Sequence, residues 1–125
     1  MFARAVRAPE VTVQVAVSEG LVTGFALTRP TGDRPQARRT GELHMFYVHP
    51  SAWGTGTADT LMAAAINDLT RRGFARATLW TAEDNHRPRS FYGRVGWAPD
   101  GTTRSKTRYG VTFGELRYGI ALHGG

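Results

Sequence analysis

The residues with the most chemical content form one run, Val48-His49-Pro50-Ser51-Ala52-Trp53-Gly54-Thr55-Gly56-Thr57-Ala58-Asp59. It reads as the end of a strand, a glycine-rich turn and the start of a helix. The first N–H groups of a helix lack partners inside it and lie at the positive end of its dipole, so they attract phosphate oxygens. Glycines let the backbone approach those oxygens with no β-carbon in the way. The run therefore predicts a diphosphate cradle made of main-chain amides between Gly54 and Asp59. Gly54-Thr55-Gly56 taken alone is the signature of an ordinary tight turn. Two common phosphate motifs fail here, because Asp59 stands where the dinucleotide fingerprint needs a third small residue and the P-loop's Gly-Lys-Ser/Thr is missing.

Other chemistries are poorly served. Cysteine is absent, which removes disulfides, thiolate metal sites and cysteine nucleophiles together. His44, His49, His86 and His123 show no metal-ligand spacing, so no metal is predicted. No Gly-x-Ser-x-Gly elbow points to a serine hydrolase. Glu83 and Asp84 adjoin on an extended segment and point to opposite faces, which suits turn residues better than a carboxylate pair.

The elements that must position the turn follow from residue periodicity. Val11, Val13, Val15 and Val17 alternate as in a half-buried strand, Ser18-Glu19-Gly20 closes it, and Leu21 to Thr28 forms the second arm of a hairpin. Arg29 to Thr40, with two prolines and four arginines, reads as an exposed loop before a third strand, Glu42 to His49. Leu61, Met62, Ala65, Ile66 and Leu69 have helical spacing, and Arg71-Arg72-Gly73 supplies the cations and the cap that end that helix. Ala77 to Ala82 reads as a strand, Asn85 as the N-cap of a short helix that stops at Gly96, and Trp97 to Gly125 as two strands, the last Glu115 to Leu122. The order β-β-β-α-β-α-β-β predicts an α/β (α+β) fold: one mixed, mostly antiparallel sheet with helices packed on it, in a single domain over 1–125.

Two blocks in this order resemble the GNAT N-acetyltransferase family. Phe46-Tyr47-Val48-His49-Pro50 through Ala58 is similar to its motif A, Q/R-x-x-G-x-G/A after a strand, with Gly56 and Ala58 at the small positions and Trp53 where glutamine or arginine is usual. Asn85, Phe91-Tyr92 and Gly96-Trp97 resemble the family's N-x-x-A-x-x-F-Y-x-x-x-G-F/W segment, with Pro88 in place of the alanine. Glu115-Leu116-Arg117-Tyr118 is similar to the last strand of small bacterial members, so the likeness covers roughly Val11 to Leu122. Members usually open with a strand and two helices bordering the acceptor groove, and here only about ten residues precede the first expected strand, so these elements are expected to be shortened or absent.

The resemblance implies acetyl-CoA as cofactor and an amine on a small molecule, peptide or protein as acceptor. It implies Tyr92 as proton donor to the departing thiolate and Glu42 as the base that takes the amine proton, with a solvated strand-end carboxylate as the plainer reading of Glu42. Phe46 and Val48 would meet the pantetheine arm, a main-chain N–H near Val48 the oxyanion, and Asn85 the coenzyme if it is more than a helix cap. Trp53, Gly54, Thr55, Gly56, Thr57, Ala58 and Asp59 complete the expected cofactor site.

The rest of the sequence bounds these expectations. With 125 residues, 41% hydrophobic and 21% charged, the chain has ordinary globular composition. No apolar stretch suits a signal peptide or a membrane span, and with no cysteine a cytoplasmic location is expected. The formal charge of +6, with Lys106 the only lysine, attracts polyanions, and both coenzyme A phosphates and nucleic acid qualify. Nucleic acid ranks last as a partner because no recognition module is present. A non-catalytic acyl-CoA-binding or regulatory module of the same fold is the alternative function. A homodimer stays open.

Overall fold

A computed structural model describes residues 2–7, 10–33 and 39–123, with side chains from residue 10 onward in those ranges. Part of the expected loop, 34–38, and the last two residues lie outside the described residues. The strands are β1 (Phe2–Arg7), β2 (Thr12–Ser18), β3 (Leu21–Pro30), β4 (Thr40–Val48), β5 (Arg76–Ala82), β6 (Ala98–Arg108) and β7 (Val111–Ala121). Helix α1 (Thr57–Arg71) follows β4 after a single 3-10 turn, Pro50–Ala52, and α2 (His86–Arg94) follows β5. All seven strands form one sheet in the order β1-β2-β3-β4-β5-β7-β6, antiparallel throughout except for the β4–β5 pair. The α/β fold expected from the sequence is the one observed, with one strand more: β1 pairs with β2 from Phe2–Val17 to Arg7–Thr12.

Helix α1 is positioned by its apolar stripe and by a polar link to β2 and β3. Leu61, Met62, Ala65 and Leu69 are buried in one core with Ala26, Leu43, Leu79, Tyr92, Trp97 and Tyr118. Leu69 lies so close to β4 that a β-carbon on Gly41 would come within 2.6 Å of its Cδ2. Beside this contact Thr28 donates to the buried Asp68 carboxylate at 2.7 Å, and Arg72 bridges Asp68 and the Thr12 hydroxyl, each at 3.2 Å.

That link decides which face of β2 goes inward. Thr12, Gln14 and Ala16 are the buried set, whereas Val13, Val15 and Val17 are half-buried on the opposite face. The valines share that face with Phe25 and Leu27 of β3 and with Met45 and Tyr47 of β4, in cross-strand rows Val13–Leu27–Met45 and Val15–Phe25–Tyr47. Period two was read correctly from the valines, but the inward face is set by the helix that packs on it, and α1 brings polar partners.

Candidate active site

Strands β4 and β5 part company early. They pair through Thr40–Arg76, Gly41–Ala77 and Glu42–Thr78, and beyond Glu42 strand β5 continues beside β7 while β4 continues beside β3. The edge of β4 from Leu43 to Val48 therefore faces a wedge instead of a strand. Aromatic rings fill its base: Phe46 stacks on Phe91 at 5.6 Å and meets Tyr92 edge-on at 6.4 Å, and Tyr92 packs on Tyr118 at 6.1 Å. Two clefts open from the wedge, one of about 690 Å³ toward the glycine turn and one of about 730 Å³ toward β6 and β7. Phe46, Tyr47, Pro88 and Tyr92 line both.

The glycine turn forms the wall of the first cleft. Gly54 and Gly56 adopt left-handed backbone, φ 76° and 85°, which a residue with a β-carbon enters at a cost. Nothing lies within 4 Å of either missing β-carbon, so both glycines face open space. Gly56 is the N-cap of α1 and no side chain caps the helix start. The Thr60 amide closes the first helical bond to the Gly56 carbonyl at 3.0 Å, so the amides of Thr57, Ala58 and Asp59 precede the helical ladder and are available to an anion. One expected amide is spent: Thr55 N–H points to the Ala52 carbonyl at 3.4 Å, and the Thr55 and Thr57 hydroxyls bond each other at 2.8 Å.

Trp53 resolves its own departure from the family pattern. Its indole N–H donates to the Val48 carbonyl at 3.0 Å, folding the ring back over the end of β4. Arg87 of α2 stacks on that ring with its guanidinium carbon 3.7 Å from the centroid, and it lines the first cleft together with Arg94. Arg94 is paired with Asp59 at 3.1 Å. Arg87 thus brings a cation to the cleft where Trp53 itself brings none. Its position was not legible in the sequence, since it lies at an unspecified place in the second block and gains meaning only from the ring beneath it. A glycine turn with open amides and neighbouring guanidinium groups fits a diphosphate.

Tyr92 is 9% exposed, and burial pushes its phenol up to about 12, so it stays protonated across the neutral range. Its hydroxyl makes no hydrogen bond to another described residue. Glu42 is placed differently from a solvated strand end. It is 4% exposed, with Oε1 accepting the Gly32 amide at 2.8 Å and Oε2 meeting Arg29 at 3.4 Å and His44 Nδ1 at 3.1 Å. His44, two residues along the strand, lines the second cleft with Glu42 and Tyr92. Asn85 occupies the N-cap position of α2, yet its side chain makes no cap bond and it lines the second cleft, not the first. Phe46, Val48, Trp53, Gly54, Gly56, Ala58 and Asp59 all line the first cleft. Among the described residues no group of three metal-ligating side chains gathers, and no helix is long and apolar enough to cross a membrane.

Comparison with known proteins gives this architecture a family. The chain matches the Acetyltransferase (GNAT) family over residues 1–97 and belongs to it. It is 36% identical over 80 residues to the mycothiol acetyltransferase of Salinispora arenicola, an overlap of 63% of this chain and 26% of that protein. The chain thus spans about a quarter of that curated relative. Among solved structures, the ribosomal-protein-alanine N-acetyltransferase from Brucella melitensis superposes with TM-score 0.78 at 25% identity, over 90% of this chain and 69% of that one. The PaiA N-acetyltransferase from Thermoplasma acidophilum, solved in complex with coenzyme A, shares the fold with TM-score 0.69 at 16% identity, over 90% and 61%.

Proposed function

We propose that the protein transfers an acetyl group from acetyl-CoA to an amine by direct attack of the amine on the thioester. The observation that carries this reading is the meeting of two clefts at Tyr92 and Phe46, one of them walled by an uncapped, glycine-opened helix start. Acetyl-CoA, when bound, supplies an activated acyl group. The amides of Thr57 to Asp59, with Gly54, Gly56 and Arg87, hold its diphosphate, and Phe46 and Val48 flank the arm that reaches the wedge. The unpaired edge of β4 supplies main-chain N–H for the oxygen that gains charge in the transition state.

Glu42 takes a different role from the direct base. Its oxygens already serve Gly32, Arg29 and His44, which leaves no clear approach for an amine. A carboxylate only accepts, so the His44 ring carries its proton on Nδ1 and leaves Nε2 as the acceptor. His44 removes the amine proton, and Glu42 fixes the tautomer and the ring. Tyr92 donates a hydrogen bond at the position of the departing sulfur. A phenol raised to about 12 lies about 3.5 units above an ordinary thiol, so complete proton transfer from it is uphill by roughly 5 kcal/mol. Tyr92 therefore stabilises the leaving sulfur as a donor without giving up its proton.

Thiol release with acetyl-CoA and a broad amine panel tests the reading. Free CoA above the hydrolytic background, reduced in Tyr92→Phe, is the expected result. Tight acetyl-CoA binding with no thiol release and no effect of Tyr92→Phe would make the protein a binding module instead.

A further inference from the structure

The second cleft has a charge imbalance on its outer wall. Arg104, Lys106 and Arg108 occupy alternate positions of β6, so their side chains leave the same face of the strand, and all three line the cleft. Opposing charge is already used. Glu115 pairs with Arg104 at 2.7 Å, and Arg104 also stacks over Trp80 at 4.0 Å. Glu42, the other carboxylate lining the cleft, is engaged by Arg29 and His44. The side chains of Lys106 and Arg108 are left with no ion pair or hydrogen bond to any described residue. Two residues apart on a strand, they are separated by about 7 Å, a span that one small anionic group or two adjacent ones can bridge.

A cleft with surplus positive charge repels a simple ammonium ion, and the same field draws in a molecule that also carries negative charge. We infer that the acceptor is an amine bearing an anionic group, a carboxylate or a phosphate, which Lys106 and Arg108 hold while the amine reaches His44 and Tyr92. The inference rests on the acetyl-transfer reading and adds the chemical class of its acceptor. Arg108 can engage either anion with two parallel N–H donors, and Lys106 adds a point charge beside Phe113.

The test compares kcat/KM, corrected for the unprotonated fraction of each amine, for β-alanine against β-alaninamide and for O-phosphoethanolamine against ethanolamine. The anionic member of at least one pair is expected to be favoured by about tenfold at low salt, with the preference shrinking as ionic strength rises. Preference in the first pair assigns a carboxylate, and preference in the second a phosphate. The double variant K106Q/R108Q is expected to bring the ratio close to one, whereas R71Q, which removes a charge from the end of α1, keeps it. Equal or better turnover of both neutral amines overturns the inference while leaving acetyl transfer intact. Absence of turnover with every amine, while acetyl-CoA still binds, overturns acetyl transfer and this inference with it.

Discussion

The guanidinium carbon of Arg87 lies 3.7 Å from the centre of the Trp53 ring, and the same indole donates its N–H to the Val48 carbonyl at 3.0 Å. One aromatic residue thus ties the end of β4 to the first turn of α2 across the mouth of the first cleft. Arg87→Ala is expected to weaken coenzyme A binding about tenfold, since a stacked cation near phosphates contributes on the order of 1 kcal/mol. Trp53→Ala should lose a similar amount by releasing the arginine. Calorimetric titration with coenzyme A measures both, and an unchanged Kd in Arg87→Ala would remove that residue from the site.

Two glycines separate fold from binding. A β-carbon on Gly24 would sit 2.6 Å from the Tyr47 carbonyl oxygen, a backbone atom that cannot swing aside, so Gly24→Ala should lose about 2 kcal/mol or more of stability. At Gly56 a β-carbon meets nothing within 4 Å, and only the left-handed φ of 85° opposes it, at about 1 kcal/mol. Gly56→Ala should therefore stay folded yet bind coenzyme A poorly, because its methyl enters the space assigned to the diphosphate. Urea unfolding and calorimetry on the two variants separate these effects.

Burial of Tyr92 carries an alkaline signature. Below pH 10 the phenol is protonated in folded and unfolded chains alike; between 10 and about 12 the unfolded chain gives up a proton that the folded chain keeps. Stability is thus fully present below the unfolded value and falls through this window, by up to about 3 kcal/mol. Urea midpoints at about pH 9 and about pH 11 should reveal the loss in the wild type and a smaller one in Tyr92→Phe. At neutral pH Tyr92→Phe should lower kcat by at least about tenfold, the loss of one donor at a developing charge.

For the His44 and Glu42 pair, His44→Ala should lower kcat by about a hundredfold, the lower end of general-base contributions, with little change in melting temperature because the side chain is partly exposed. Glu42→Gln should cost less in kcat and more in stability, since it disturbs a buried group that holds the Gly32 amide and Arg29. If Glu42→Gln abolishes turnover while His44→Ala keeps it, Glu42 is itself the base.

What the sequence disclosed and what it concealed divide along a physical line. The turn from Val48 to Asp59 and helix α1 were legible because glycine chemistry, capping cations and helical spacing are local. Phe91 and Tyr92 were legible through their place in a known block. Arg87 and Asn85 took their meaning from partners far along the chain or across the wedge, an indole folded onto β4 and a second cleft on the other side of Tyr92, and His44 took its meaning from the neighbouring Glu42 only once Gly32 holds that carboxylate inward. The valines of β2 were read with the right period, yet the polar side chains of Asp68 in α1 and of Arg72, which caps it, drew Thr12 and Thr28 inward instead. Strand β1 escaped notice because Phe2 to Arg7, with charges at Arg4 and Arg7, has no strict period of two and becomes a strand only through pairing with β2.

Backbone amide signals of isotope-labelled protein, followed by NMR during titration with coenzyme A, report on diphosphate binding at the glycine turn itself. The amides of Thr57, Ala58 and Asp59, with Gly54 and Gly56, should shift most and gain protection from hydrogen exchange. Saturable binding that leaves those amides unmoved while others respond, or no binding at all, would contradict it.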